Sequence, residues 1–367
     1  MDVVAHRRAL HAIPELDRQL PETTGYVRRV LEGLSCKVFS PTEGSVCAYF
    51  DQGRETTLAL RADMDALPVQ EATGAPYAST HPGIMHACGH DGHTAMLLAL
   101  AERLNTYPAG ALPRNVLLLF QPAEETTSGA RDLCRAGVLE QYHVDRIFGM
   151  HLWPGLPAGT IATRPGPMMA RAGELNVIVR GKSVHISSYR QGCDALAAAA
   201  EFLRRAYDMA AAMPSEEPLV LRFGKMTSGT VRNAVSALSV LEGNLRTYRD
   251  ETYDACCRGM EEIGARIERE TGCTVEVKLG ISYPAVWNHA ELLESVRHQL
   301  GSEAPAVLET PAMAAEDFSF YQRQVPGVFF FLGTGATPPL HAQNFDFDDA
   351  AVLPAGAAFF EKLLGLS

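Results

Sequence analysis

Four short apolar runs stand out along the chain, and each ends in polar residues. Thr57–Leu60 runs into Arg61-Ala62-Asp63-Met64-Asp65. Val116–Phe120 runs into Gln121-Pro122-Ala123-Glu124-Glu125. Ile147–Met150 runs into His151-Leu152-Trp153, and Val328–Leu332 runs into Gly333-Thr334-Gly335, with His341 close behind. Runs of this length and composition read as buried strands. Helical periodicity separates several of them, with helices predicted over Thr94–Leu104 and Ala357–Leu364. Strands alternating with helices predict an α/β fold, doubly wound around a mostly parallel sheet. In such sheets functional groups gather beyond the carboxyl ends of the strands. Here four strand ends deliver acidic or imidazole side chains.

The stretch 173–284 follows another rhythm. Leu175, Val177 and Val179 alternate with Asn176, Ile178 and Arg180, as in a half-buried strand. Asp194–Met213 is Ala-rich and helical, with Asp194 placed as its N-cap. Strands over Leu219–Phe223 and Ala237–Thr247, a helix near Tyr253–Thr271 and a strand over Thr274–Leu279 complete a β-α-β-β-α-β order. That order predicts a ferredoxin-like domain with an antiparallel sheet. It is inserted at 173–284 into a discontinuous domain formed by 1–172 and 285–367.

Composition narrows the function classes. A formal net charge of -11 argues against nucleic acid or an anionic membrane as the main partner. No apolar run reaches transmembrane length. The opening residues lack the apolar core of a signal peptide, so the expected setting is cytoplasmic. The 8 cysteines are scattered without a disulfide framework, and only Cys88 has ligand-type neighbours.

Those neighbours form the densest chemistry in the chain: Met85-His86-Ala87-Cys88-Gly89-His90-Asp91-Gly92-His93. Cys and His are metal-ligand residues before they are packing residues. A two-metal hydrolytic site needs several deprotonated ligands and a general base that is not itself a ligand. Cys88 and His90, two apart across Gly89, can face one side of an extended turn. Glu124 and Glu125 are adjacent and project differently, so one can ligate while the other handles a proton. His151 and His341 follow two further strands. Asp91 is expected to orient a ligand, and His86 and His93 to support or pack. Other chemistries find little footing. Pro338 stands where a dinucleotide fingerprint would need its third Gly, and no Gly-x-Ser-x-Gly elbow or Gly-x-x-x-x-Gly-Lys loop occurs. Cys88 as a nucleophile lies among too many other ligands.

Several segments together resemble the M20 metallopeptidases, in the amidohydrolase branch of aminoacylases, hippurate hydrolases, auxin-conjugate hydrolases and N-acetyl-diaminopimelate deacetylases. They are Arg8–Leu16, Arg61–Pro68, Met85–Ala95, Gln121–Glu125, Gly149–His151, Ala315–Phe318 and Leu340-His341. The resemblance implies metal ligands at Cys88, His90, Glu125, His151 and His341, with Glu124 as general base. Asp63 matches the Asp of the superfamily's His-x-Asp motif. Arg61 replaces the His, as in this branch. Two divalent ions per subunit are implied, and the donor set suits Zn, Mn, Ni or Co alike.

The inserted domain resembles the family's lid and dimerisation domain, which implies a homodimer. His185 matches the histidine that reaches a partner's active site to stabilise an oxyanion. Asn233 and Arg246 match substrate-binding positions. Two departures are expected to reshape the pocket or hinge: Ser183-Val184 replaces Gly-Gly, and Ile186–Arg190 replaces Gly-Ala-x-Pro-His. The expected activity is metal-dependent cleavage of the amide bond in a small N-acyl amino acid. The alternatives are a dipeptidase or carboxypeptidase, or a silent dimer that binds metal or an amino-acid-like ligand.

Overall fold

A computed structural model describes residues 2–214 and 218–366. The chain divides into two compact units. The first comprises Met1–Met168, Val286–Pro311 and Asp317–Ser367, and the second Met169–Ala285 with Ala312–Glu316.

The first unit is built on an eight-stranded sheet. Its centre is four parallel neighbours in the order Asn115–Gln121, Thr57–Asp63, Val144–Trp153 and Gly327–Gly333. These contain the four apolar runs read from the sequence. Three of them are buried at every position, as strands covered on both faces must be. The margins differ from a purely parallel pattern. Val46–Phe50 and Lys37–Phe39 extend one side antiparallel, and Ile161–Thr163 pairs antiparallel with the strand Gly327–Gly333 on the other. The strand Val144–Trp153 also runs past its predicted end, so His151 lies within it rather than beyond it.

Helix His90–Leu104 begins four residues before the predicted Thr94. Its first turn is polar yet buried, which hides it from a hydrophobic-periodicity reading. Asp349–Leu363 likewise starts earlier than the predicted Ala357, with Pro354 inside it. Leu97, Leu98, Leu100 and Leu104 of the central helix join Leu60, Leu118, Phe330 and Phe360 in one apolar core. Burying each such side chain contributes roughly 1.5–3 kcal/mol.

The second unit has the order Arg171–Arg180, Ala195–Ala211, Val220–Ser228, Leu238–Thr247, Asp250–Thr271 and Thr274–Tyr283, the β-α-β-β-α-β arrangement. Its four strands lie in the order Thr274–Tyr283, Arg171–Arg180, Leu238–Thr247, Val220–Ser228, all antiparallel. Leu175, Val177 and Val179 are buried against Phe202, Leu241, Met260 and Ile267, as their alternation required. Asp194 caps its helix by accepting from the N–H groups of Leu196 and Ala197.

Candidate active site

The site forms where the parallel strands of the first unit end. The Cys88 loop reaches it through Gly89, whose φ of +86° is left-handed, and His90 opens the following helix. This is a turn onto a helix N-terminus, not the extended turn expected from the spacing. A Cβ at Gly89 would stand 2.8 Å from the Leu152 side chain, so glycine is required on both steric and conformational grounds.

After the strand Asn115–Gln121 the chain turns at Ala123, which is buried with φ +56°. The Ala123 N–H donates to Asp17 O at 3.1 Å, and its carbonyl accepts from the N–H groups of Ser128 (3.0 Å) and Gly129 (3.2 Å). A Cβ on Gly129 would fall 1.9 Å from Pro122 O, so the turn closes only over glycine. The turn swings the two adjacent carboxylates to one place. Ligand-type atoms of His90, Glu124 and Glu125 lie within 4.8 Å of one another.

The five predicted ligands converge. Cys88, His90 and His151 form one group within 4.8 Å, and Cys88, Glu125 and His341 form another. Cys88 Sγ stands 3.4 Å from His151 Nε2, and His341 Nε2 stands 3.4 Å from Glu125 Oε1. His341 arrives from the loop after the strand Gly327–Gly333, with φ +67° and its N–H bonded to Ala87 O at 2.8 Å. A left-handed non-glycine conformation costs on the order of 1–3 kcal/mol and persists only where its surroundings hold it.

Hydrogen bonds set the imidazole tautomers. His90 Nδ1 donates to Asp65 O at 2.8 Å, and His151 Nδ1 donates to Leu152 O at 2.7 Å. Each ring therefore turns its Nε2 inward, the arrangement usual for a metal-ligating histidine. His90 Nε2 and Glu125 Oε1 are buried without a hydrogen-bond partner. Two orphaned donor atoms among a thiol, imidazoles and carboxylates are what a cation would complete, so these residues fit a divalent metal.

Electrostatics agree with that fit. Burial and the nearby Glu125 and Glu124 push the Cys88 thiol well up. Burial depresses His151 to about 3, keeping it neutral. Burial also opposes charge on His90, but Asp63, Asp65 and Glu125 outweigh it and raise its pKa to about 10. Surplus negative charge thus holds a proton on His90, for which a cation would compete. Burial opposes charge on Glu125 as well, yet His341 and His90 hold its carboxyl below the usual range.

Beneath these groups Asp63 is fully buried. It accepts from Arg61 Nη1 at 2.7 Å and from His93 Nδ1 at 2.6 Å, and its Oδ2 stands 3.6 Å from His90 Nε2. Burial works against its charge, but Arg61, His90 and His93 hold its carboxyl well below the usual range. His93 Nε2 accepts from the Leu152 N–H at 2.9 Å, which ties the central helix to the strand that carries His151. Arg61 also reaches Gln121 Oε1 (2.8 Å) and Asp317 Oδ1 (2.6 Å).

Asp91 departs from expectation. It binds Arg7 Nε at 2.9 Å and His11 Nδ1 at 2.7 Å, anchoring helix Val3–His11 instead of orienting a ligand. Successive helical side chains diverge by about 100°, so Asp91 points away from His90. The residue missed in the sequence is Asp65, whose carboxylate accepts from the N–H of Glu124 at 3.0 Å and of Glu125 at 3.1 Å. Its place in the same strand-end motif as Asp63 was the available signal.

In the second unit, His185 precedes a short 3-10 helix, Ile186–Gln191, and its Nδ1 lies 2.8 Å from Ser187 Oγ. Asn233 is its neighbour, with its carbonyl accepting from the Ile186 N–H at 3.0 Å. The departures Ile186 and Tyr189 are 49% and 57% exposed. Arg246 donates to Met313 O at 2.5 Å and to Asn244 Oδ1 at 3.1 Å. It pairs with Ala172, whereas Leu238 pairs with Arg180 near the His185 end. Arg246 therefore stands about 27 Å along the sheet from that end, at about 3.4 Å per residue.

Among the described residues no helix is long and apolar enough to cross a membrane. Residues 59–365 match peptidase family M20/M25/M40. An uncharacterized hydrolase of Staphylococcus aureus (strain USA300) is 34% identical over 372 residues, covering 99% of this chain and 97% of its own. An N-acetyldiaminopimelate deacetylase of Lacticaseibacillus paracasei is 36% identical over 372 residues, covering 97% and 96%. The crystal structure of a dinuclear metal-binding peptidase of the M20 family from Bacillus subtilis has a TM-score of 0.85 at 33% identity, covering 99% of this chain and 96% of that one. With the match running through most of the chain, and with relatives of nearly equal length, the protein belongs to peptidase family M20/M25/M40 and is a hydrolase of amide bonds.

Proposed function

We propose that this chain hydrolyses the amide bond of a small N-acyl amino acid, with divalent metal ions held by Cys88, His90, Glu125, His151 and His341. The observation that carries the metal assignment is the convergence of these side chains around two buried, unpartnered donor atoms, His90 Nε2 and Glu125 Oε1. The acyl-amino-acid class is supported by the similarity to the N-acetyldiaminopimelate deacetylase. When bound, such ions supply Lewis-acid polarisation of the scissile carbonyl and lower the pKa of water. The thiol, imidazole and carboxylate donors suit zinc, manganese, nickel or cobalt, two ions per subunit.

Glu124 is the general base. It takes the proton of the attacking water and returns it to the leaving amine. Asp63 acts through its neighbours, holding His93 and, with it, the backbone beside His151. His185 stabilises the oxyanion, Asn233 lies beside it, and Arg246 pairs with a substrate carboxylate. The separation along the sheet between Arg246 and the His185–Asn233 pair is too long for one small molecule to bridge. It supports a homodimer in which each substrate meets Arg246 of one chain and His185 of the other. The eight free cysteines support a reducing, cytoplasmic setting.

The test is a panel of N-acetyl amino acids and dipeptides with metal-reconstituted protein, reading released amine. N-acetyl amino acids are the expected substrates, with activity lost on chelation. Glu124→Gln should lower kcat by about 10²–10⁴-fold with metal content unchanged. Wild-type rates in that variant would remove Glu124 from the mechanism. Faster cleavage of dipeptides would favour a peptidase, the activity in the name of the Bacillus subtilis structure.

A further inference from the structure

Two of the eight free cysteines, Cys193 and Cys273, come together at one end of the second unit. Cys193 stands just before Asp194, the cap of helix Ala195–Ala211. Its N–H donates to Lys182 O at 3.1 Å, and its carbonyl accepts from the Lys182 N–H at 2.9 Å. The two residues thereby close the neck of a loop, 182–193, that carries His185. Cys273 stands just before the strand Thr274–Tyr283, whose first residue pairs with Arg180. Its neighbour Gly272 caps helix Asp250–Thr271 with φ +74°, and a Cβ there would lie 3.3 Å from Cys193 Sγ. Consecutive Cα atoms are only about 3.8 Å apart, so the Cys193 sulfur stands beside the Cys273 backbone. Both side chains pack in the same apolar cluster. Their exposure differs: Cys193 is half-buried, and Cys273 is 2% exposed. Burial, reinforced by Cys193, pushes the Cys273 thiol up despite its hydrogen bond with Thr271. One thiol within reach of solvent and a second behind it is the layout of an attacking and a resolving cysteine.

We propose that Cys193 and Cys273 form a redox-modification site that takes low-molecular-weight disulfides. The Cys193 thiolate attacks one sulfur of the oxidant. A mixed disulfide forms, the oxidant's own S–S bond breaks, and the first small thiol leaves with a proton. The Cys273 thiolate then attacks the Cys193 sulfur, which makes the Cys193–Cys273 bond and expels the second small thiol. Both cysteines are oxidised, the small disulfide is reduced to two thiols, and the two protons lost by the protein go to them. The new bond fastens the neck of the His185 loop to the end of helix Asp250–Thr271. In a reducing compartment such a pair rests as the dithiol and closes only under oxidation. The proposal depends neither on the metal ligands nor on the amide-bond chemistry.

The experiment treats the full chain, reconstituted with zinc, with oxidised glutathione as the probe. Remaining thiols are blocked with N-ethylmaleimide, and a non-reduced digest is read by mass spectrometry. The expected product is one linked peptide pair that joins Cys193 to Cys273, two hydrogens lighter than the separate peptides and released by dithiothreitol. Closing so long a stretch of chain should raise Tm by roughly 5–10 °C. Cys273→Ala should stop at the mixed disulfide, a glutathione adduct on Cys193. Cys193→Ser should leave Cys273 unmodified, and both variants should lose the rise in Tm. Should Cys273→Ala fail to fold, the wild-type map and Cys193→Ser decide the matter. No linked pair in the wild type, either cysteine joined to a different one, or the same rise in Tm in Cys193→Ser would overturn the proposal. Turnover is not among the readouts, so the result stands whichever amide the protein cleaves.

Discussion

At the strand ends of the first unit, Arg61, Asp63, Asp65, His90, His93, Gln121, His151 and Asp317 are all 5% exposed or less. The buried cluster of the second unit is apolar, from Leu175 and Val177 to Phe202, Met260 and Ile267, while its His185 and Ile186 stand exposed. Burying charge is costly unless every group finds a partner. The first unit meets that condition by chaining its charges: Arg61 to Asp63 and Asp317, Asp63 to His93, His93 to the Leu152 backbone. What results is a set of ligand-type atoms gathered together, among which His90 Nε2 and Glu125 Oε1 are left unpaired. The second unit gains its stability from ordinary apolar packing, which leaves its loops available for contacts of other kinds. The first unit adds a buried polar network to its apolar core, whereas the buried cluster of the second is apolar.

The comparison can be broken at its apolar side first. Phe202→Ala should cost about 3–5 kcal/mol of stability in the second unit. Near-UV circular dichroism during thermal unfolding should show earlier melting, while cobalt bound to the first unit keeps its spectrum. Loss of the cobalt spectrum at the same temperature would mean that the two units do not hold their order separately.

Next comes His185. Its replacement by Ala should lower kcat about 10²–10³-fold, as for loss of one oxyanion donor, and leave metal content unchanged. Mixing the inactive His185→Ala and Glu124→Gln proteins should restore activity, because one centre of the heterodimer would then hold an intact Glu124 and receive an intact His185. No recovery on subunit exchange would place His185 on its own chain's centre or outside the reaction.

The smallest effect concerns the polar side. His11 is buried between Asp91 and Glu71, at 2.7 and 3.3 Å. Burial lowers its pKa, but the two carboxylates outweigh that and raise it from 6.5 to about 9. Since the folded value exceeds the unfolded one, the stabilisation is complete below about pH 6.5 and is lost as pH rises through about 9, on the order of 3 kcal/mol in all. Denaturant unfolding at about pH 6 and pH 10 should show wild type losing its advantage over His11→Gln. An advantage independent of pH would mean that His11 is not protonated in the folded chain.

Much of this could be read from residue order. Apolar runs at 57–60, 116–120, 147–150 and 328–332 became the four parallel neighbours, because a strand buried on both faces has no polar positions to mask it. The alternation of Leu175, Val177 and Val179 and the Asp194 cap became their predicted elements for equally local reasons. The same reading placed the start of the central helix too late, since His90, Asp91 and His93 look like surface residues and are buried only because Asp63, Asp65, Arg7 and His11 meet them. Asp91 was given to the metal side when its partners lie 80 and 84 residues back in the chain.

Residue type and spacing thus determined by themselves which side chains were chemically able to form a site, and on which strand ends they would appear. Tertiary structure alone decided that Glu124 and Glu125 reach one place, through the left-handed Ala123, and that Asp65 holds both. It also decided that Arg246 and His185 stand at opposite ends of one sheet. The physical reason is that propensity and periodicity are local, whereas a hydrogen bond between residues 59 apart, such as Asp65 to Glu124, exists only once long-range packing has brought two strand ends together.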